Sequence, residues 1–372
     1  MILARKVRLF PTSEQEQRMW KSAGTKRWAY NWTLAKQQDN YKNGGKFISD
    51  GDLRKELTQL KKTEEYEWLN EVSNNVTKQA VKDACNAYMR FFKKQSDFPK
   101  FKSKKNSTPS FYNDNVKLKV KKDSVLLEKV GWVKIKEKIP LDCKYTKPTI
   151  SFDGKYWYLS VGIERTVVKE KLNDTIIGID VGIKDLAVTS IKELKFKNIN
   201  KTKKVIKLEK KLRRLQRKVS NKYEKNKKGV VYQKTSNIKK LEKQIRFVHR
   251  KLNGIRKNHL HQATNQIVKT KPSKVVMETL NISGMMKNKH LSKAIQQQNL
   301  YEFKRQMKYK CEFNGIEFVE ADKWYPSSKT CSECGHVKKQ LSLSERAYIC
   351  EECGCIIDRD YNAAINLSRY LA

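Results

Sequence analysis

Apolar positions in the first tenth of the chain alternate: Ile2, Ala4, Val7 and Leu9 predict a strand over 2–10 that stops at Pro11. Thr12-Ser-Glu-Gln-Glu follows, with Thr12 or Ser13 placed to cap a helix and acids in its first turn. The pattern then turns helical. Met19, Trp20, Trp28, Ala29, Trp32 and Leu34 mark a helix to about Tyr41, and a second helix is expected over 52–61. A third is expected over 74–94, with Val76, Ala80, Val81, Ala84, Cys85, Tyr88 and Phe91 along one side. Trp28, Tyr30 and Trp32 read as core of this small helical domain. A basic linker around Asp97-Phe-Pro-Lys-Phe-Lys-Ser breaks the pattern.

From 109 to 169 the period becomes two. Strands are expected at Val116-Leu118-Val120, Val125-Leu127, Trp132–Ile135, Thr149–Phe152 and Tyr156–Gly162, with a hairpin turn at Asp153-Gly154. The first strand is placed to join them in one small barrel, interrupted by the helices. A new domain opens near Asp174. Thr175-Ile-Ile-Gly-Ile-Asp-Val-Gly is nearly continuous in apolar character, which predicts a buried strand, and Leu186-Ala-Val-Thr pairs beside it. Leu208, Leu212, Leu215 and Val219, then Ile238, Leu241, Ile245, Val248, Leu252 and Ile255, recur every three or four residues. That predicts a helical hairpin with a coiled-coil seam. Strand returns at 274–278, helix over 295–314, and strand at Glu317-Phe-Val-Glu. The fold class is therefore mixed α/β, with an all-β and an all-α part ahead of it.

Charge narrows the partner. Lys and Arg number 81 against 39 Asp and Glu, a formal net charge of +42 over 372 residues. So cationic a surface requires a polyanion. The basic residues are spread along the chain rather than gathered on one amphipathic tail, which favours nucleic acid over a membrane or a small-molecule substrate. No apolar stretch approaches a membrane span, and the start lacks the apolar core of a secretory signal. A cytoplasmic, nucleoid-associated protein is expected. Cys85, Cys143 and Cys311 stand singly and read as reduced thiols.

Two motifs carry chemistry. Cys331-Ser-Glu-Cys334 and Cys350-Glu-Glu-Cys353 flank a spacer of fifteen residues. Four thiolates so spaced predict a closed, structural Zn²⁺ site of zinc-ribbon type, with Gly335 and Gly354 allowing the tight turns and Cys355 spare. The second motif is a set of acids. Asp180 and Glu278 each end an apolar strand, where an unpaired charge is costly. Asp360 stands at the mouth of the helix opened by Asn362-Ala-Ala-Ile-Asn. Converging on one sheet edge, the three acids would hold two Mg²⁺ ions for phosphodiester hydrolysis. Each has a plainer reading: Asp180 in a turn, Glu278 paired with a Lys, and Asp358 or Asp360 as a helix cap.

Taken together, Gly178-Ile-Asp-Val-Gly-Ile-Lys-Asp, Met277-Glu-Thr-Leu-Asn-Ile-Ser-Gly, Trp324-Tyr-Pro-Ser-Ser-Lys-Thr-Cys-Ser-Glu-Cys-Gly and Asp358-Arg-Asp-Tyr-Asn-Ala-Ala-Ile-Asn resemble TnpB. These are the OrfB-type insertion-sequence proteins related to type V CRISPR nucleases. Lys6-Val-Arg-Leu-Phe-Pro-Thr and Phe98-Pro-Lys-Phe-Lys-Ser-Lys look similar too. The resemblance implies a RuvC-like nuclease domain with an RNase-H-type sheet over 171–372, holding a helical insert at 200–260 and a zinc ribbon at 329–356. It implies a wedge-type β-barrel from 1–11 and 103–170, and a helical recognition domain over 12–102. It implies catalytic acids at Asp180, Glu278 and Asp360, a transposon-encoded guide RNA, and double-stranded target DNA cut beside a short adjacent motif. Thr279 departs from the pattern, since many relatives have Asp there.

Lys210, Lys211, Arg213, Arg214 and Arg217 on the basic hairpin are candidates for phosphate contacts. Lys78 and Gln79 fall where relatives read the adjacent motif. Two alternatives share the fold: a guide-directed repressor, which would be expected to lack one of the acids, and a DNA-joining transposase. A tyrosine transposase needs a His-hydrophobic-His scaffold, and His259-Leu-His261 lies in a basic amphipathic helix instead.

Overall fold

The computed structural model describes residues 2–141, 143–164, 171–342 and 344–371. The chain divides into two compact units, Met1–Arg165 and Thr166–Ala372. In the first, β1 (Ile2–Phe10) leads through the cap Thr12 into α1 (Ser13–Lys42). The Thr12 side chain accepts from the Gln15 amide, and the Gln15 side chain returns a bond to the Thr12 amide. Helices α2 (Asp50–Leu60) and α3 (Asn74–Phe92) follow, separated by a 3₁₀ segment at Glu64–Glu71. Trp28 and Trp32 pack half-buried against Leu53, Leu57, Leu69, Val81 and Cys85, as expected of core residues.

Six strands complete the unit: β2 (Ser110–Tyr112), β3 (Lys119–Val120), β4 (Ser124–Leu127), β5 (Gly131–Ile135), β6 (Tyr145–Phe152) and β7 (Trp157–Glu164). The sheet order is β2-β6-β7-β1-β5-β4-β3, with neighbours antiparallel. The N-terminal strand therefore sits at the centre of a sheet otherwise made more than a hundred residues later. The strand expected through Val116–Leu118 does not form. The Asp114 carboxylate accepts the amides of Val116 and Lys117 and makes a turn there, leaving Val116 exposed. The last stretch of the expected period-two region, 165–170, lies outside the described residues.

The second unit opens with β8 (Asn173–Val181), β9 (Asp185–Thr189) and β10 (Lys195–Lys197). The long pair α4 (Lys203–Lys225) and α5 (Ser236–Lys269) follows, bridged by the small hairpin β11 (Lys227–Lys228) and β12 (Val231–Tyr232). Val205, Leu212 and Leu215 of α4 meet Val248 and Leu252 of α5, so the expected seam forms. Next come β13 (Pro272–Met277), α6 (Ile282–Met286), α7 (Ser292–Gln298), α8 (Leu300–Phe313) and β14 (Glu317–Glu320). The helix expected over 295–314 is broken between α7 and α8. Asn299 takes the left-handed conformation (φ 54), and the preceding Gln298 turns its amide onto the Gly182 carbonyl. The chain ends with β15 (Ala347–Ile349), β16 (Ile356–Asp358) and α9 (Arg359–Ser368).

The main sheet runs β10-β9-β8-β13-β14; the first three strands are antiparallel neighbours, and β13 lies parallel to both β8 and β14. One face carries Ile177, Ile179, Val181, Val275 and Met277, buried against Leu260 and Ile267 of α5 and Phe303 and Met307 of α8. The other carries Val276 and packs on Leu367 of α9. Here Gly178 permits the contact. A Cβ on it would lie 2.0 Å from the Ala364 carbonyl oxygen and 2.4 Å from the Ser368 nitrogen, both backbone. Gly178→Ala is therefore expected to lift α9 off the sheet, at about 2 kcal/mol or more. A thermal melt and limited proteolysis of α9 would read this.

Candidate active site and metal centre

Strand order decides where the acids meet. β8 and β13 are parallel neighbours, with Met277 opposite Ile179. Asp180 and Glu278 thus extend one step further along adjacent strands, on the face that α9 covers. Glu278 Oε1 accepts the Val181 amide at 3.3 Å. The Asp180 and Glu278 carboxyls are neighbours and act on one another electrostatically. Asp360 enters from the first turn of α9 and acts on both electrostatically.

Burial, then the charges of Glu278 and Asp360, push the Asp180 carboxyl well above the ordinary carboxylate range; Arg359 opposes this. Glu278 is also raised, by burial first and by Asp360, while the Val181 amide and Asp180 restrain it. Such crowding of half-buried carboxyls, only partly offset by Arg359, is the kind of environment in which carboxylates take up a cation. It also gives a pH prediction. The folded, metal-free chain keeps protons that the unfolded chain has already released, so its stability falls as pH rises from the ordinary carboxylate range through the raised value. In melts with a chelator, Asp180→Asn should remove part of that slope, and added Mg²⁺ should flatten it for the wild type.

The two aspartates near α9 divide the work. Asp358 is the helix cap: its Oδ1 accepts the amides of Asp360 and Tyr361, each at 3.1 Å. Asp360 instead acts electrostatically on Asp180 and Glu278. Thr279 donates to the Ala321 carbonyl at 2.7 Å and so ties the chain after β13 to the chain after β14.

All four cysteines of the two knuckles come together. Their sulfur atoms lie within 4.8 Å of one another, with Cys331–Cys353 at 3.6 Å and Cys334–Cys350 at 3.5 Å. These spacings are too long for disulfides and suit four thiolates on one tetrahedral ion. Gly335 (φ 79) and Gly354 (φ 70) make the left-handed turns after each pair. Backbone amides, Cys353 first and then Glu352, help to draw the Cys350 thiol down to about 6. Cys355 is outside the four-sulfur group.

Sequence reasoning did not single out Asn362 and Asn366. Both are buried and one turn apart on α9. Asn362 donates to the Thr330 carbonyl at 2.7 Å and accepts the Ser332 amide at 2.9 Å, so it grips the backbone on both sides of Cys331. Asn366 donates to the Ser327 carbonyl at 2.8 Å and the Thr330 carbonyl at 2.6 Å. Arg369 donates to the Ser332 carbonyl. The helix bearing Asp360 is thus fastened to the first knuckle. The available signal was two carboxamides on the buried, alanine-rich face of a short helix.

Of the basic candidates, Lys210, Lys211, Arg213, Arg214 and Arg217 are all exposed on α4, opposite the seam. Lys78 is exposed on α3, and Gln79 is half-buried with its amide on Asp83 at 2.8 Å. Among the described residues, no helix is long and apolar enough to cross a membrane.

Comparison with known proteins bears on all of this. Residues 158–289 match the OrfB_IS605 family described as "Probable transposase", residues 301–367 the "Cas12f1-like, TNB domain", and residues 1–46 the OrfB_IS605 "Helix-turn-helix domain". A Streptomyces pristinaespiralis protein named "Putative RNA-guided DNA endonuclease" is 32% identical, over 97% of this chain and 87% of its own length. The chain belongs to the TnpB family. The Escherichia coli K12 protein named "Putative RNA-guided DNA endonuclease InsQ" is 29% identical to this TnpB-family chain, over 97% of it and 90% of InsQ. The fold is also similar to the Cas12f1 chain of a Cas12f1-sgRNA-target DNA complex, with a TM-score of 0.58 at 15% identity, covering 95% of this chain and 82% of the other. In this TnpB-family member, residues 2–42 form a strand and one continuous helix, β1 and α1, whatever that region's family description.

Proposed function

We propose that this chain is an RNA-guided DNA endonuclease that cuts target DNA beside a short adjacent motif by divalent-metal-assisted phosphodiester hydrolysis. The observation that carries the reading is the meeting of Asp180, Glu278 and Asp360, from two parallel strands and a covering helix. The relatives' names give the guide RNA and the DNA target. The sheet supports a RuvC-like, RNase-H-type domain over 171–372: three antiparallel strands, then two parallel ones, with acids at the ends of the first and fourth. The central place of β1 supports a wedge-type barrel built from 1–11 and 103–170 around the helical recognition domain 12–102. Within 171–372, the hairpin at 200–260 and the ribbon at 329–356 read as inserts.

The donor set fits hard cations. Three carboxylates brought to one end of the sheet would suit two Mg²⁺ side by side, with remaining positions for water and phosphate oxygens. When bound, such a pair supplies an activated water and stabilises the leaving oxygen. Asp180 would offer its carboxylate to the metal, and Glu278 is kept in place by the Val181 amide. Asp360 closes the third side. The cysteine group fits a structural Zn²⁺, with no open position for chemistry. Lys210, Lys211, Arg213, Arg214 and Arg217 would grip nucleic-acid backbone, while Lys78 and Gln79 would face the adjacent motif. Guide pairing supplies the remaining specificity.

The test is direct. Purify the protein with the RNA that accompanies it, sequence that RNA, and offer matched DNA with Mg²⁺. Guided cleavage that is lost in Asp180→Ala and in Glu278→Ala is expected. Undiminished cutting by either variant ends the assignment.

A further inference from the structure

The row of side chains that contains Asp180 continues past it. Asp180 on β8 is opposite Val188 on β9, and Val188 is opposite Lys195 on β10. On the other side comes Glu278, next after the Met277–Ile179 pair. One line across the sheet therefore reads Lys195, Val188, Asp180, Glu278. Residues paired across strands project from the same face, so all four share the face on which α9 lies.

Lys195 ends this line on an edge strand. Two strand spacings, about 10 Å, separate its backbone from that of Asp180, within reach of a lysine side chain plus one phosphate. Its side chain is 37% exposed, whereas that of its ion-pair partner Asp185 is only 14% exposed. The Asp185 carboxylate holds the ammonium at 3.3 Å. Asp358 and Asp360 also act on it electrostatically. The ammonium is thus steered toward the acids and remains open to solvent.

A strand entering a site of clustered carboxylates brings more negative charge. We propose that Lys195, aimed by Asp185, holds a backbone phosphate of the strand being cut and so positions that strand against Asp180, Glu278 and Asp360. This rests on the nuclease reading above. Lys195 offers a point charge, which suits a phosphate of any sequence. Before DNA arrives, the same ammonium offsets part of the acid cluster's charge and competes with divalent ions for it.

That dual role separates the proposal from a purely structural one. Lys195→Met, Lys195→Arg and Asp180→Ala are compared with wild type as assembled protein–RNA complexes. Cleavage of matched DNA is followed in single turnover, DNA capture by gel shift, and Mn²⁺ binding without DNA by electron paramagnetic resonance. Expected for Lys195→Met is a cleavage rate about tenfold to a hundredfold lower, with DNA capture unchanged and Mn²⁺ bound more tightly. Lys195→Arg should recover much of the rate. A misfolded site would lose rate and Mn²⁺ affinity together, and that outcome overturns the proposal. So does a wild-type rate in Lys195→Met while Asp180→Ala is dead, which leaves the nuclease reading standing. Cutting by Asp180→Ala removes the nuclease reading and this inference with it.

Discussion

Asp360→Ala will abolish guided DNA cleavage, and Asp358→Ala, two residues away, will leave it largely intact. The residues are the same type in the same turn, and backbone geometry gives them different work. Asp358 spends its carboxylate on the amides of Asp360 and Tyr361. Losing that cap costs about 1 kcal/mol, a Tm drop of about 2–4 °C for a unit of this size. Asp360 instead adds its charge to Asp180 and Glu278. On the reading proposed above, removing it takes away one wall of the cation site. If that site supplies several kcal/mol of transition-state stabilisation, cleavage falls by about a thousandfold or more. Single-turnover rates and melts on both variants decide the matter; the inverse pattern, Asp358→Ala dead and Asp360→Ala active, would falsify the assignment of the third acid.

The sequence allowed Asp358 or Asp360 to be the cap, since both stand where a capping carboxylate belongs. Only the dihedral angles at Asp358 and the direction of α9 separate them. This shows what local pattern can and cannot deliver. The strand over Ile2–Phe10, the coiled-coil seam and the cysteine knuckles were legible because each is a short-range rule of period or spacing. The two strand-end acids were legible because a charge closing an apolar run is locally anomalous. Lys195 was not, since it is one lysine among many in a basic chain. Only the sheet register brings it into line with Asp180. Asn299 escaped for a related reason: its left-handed turn serves α7 and the Gln298 bond to Gly182, contacts far away in sequence. Val116–Leu118 misled in the opposite direction, because its alternation was overruled by a single side chain, Asp114.

Cys331→Ser, or stripping the zinc with a strong chelator and then restoring Mg²⁺, is expected to disable cleavage although none of the three acids is touched. Among the described residues, the ribbon's own apolar centre is Cys331, Tyr348 and Cys350, flanked by Leu341, Cys355 and Ile357. So small a core does not hold a fold by itself. A structural zinc in comparable small modules contributes on the order of 10 kcal/mol. Without it the first knuckle opens, and α9 loses the backbone partners of Asn362, Asn366 and Arg369. These are buried polar groups, each costing about 1–3 kcal/mol when left unpaired. Asp360 rides on that helix, so it moves with the loss. Asn362→Leu isolates the link: zinc should stay bound at one per chain, while cleavage drops and higher Mg²⁺ restores part of it. Metal analysis and a Mg²⁺ titration of the rate read both halves. Wild-type cleavage by a zinc-free protein would show instead that the ribbon and the acids work independently.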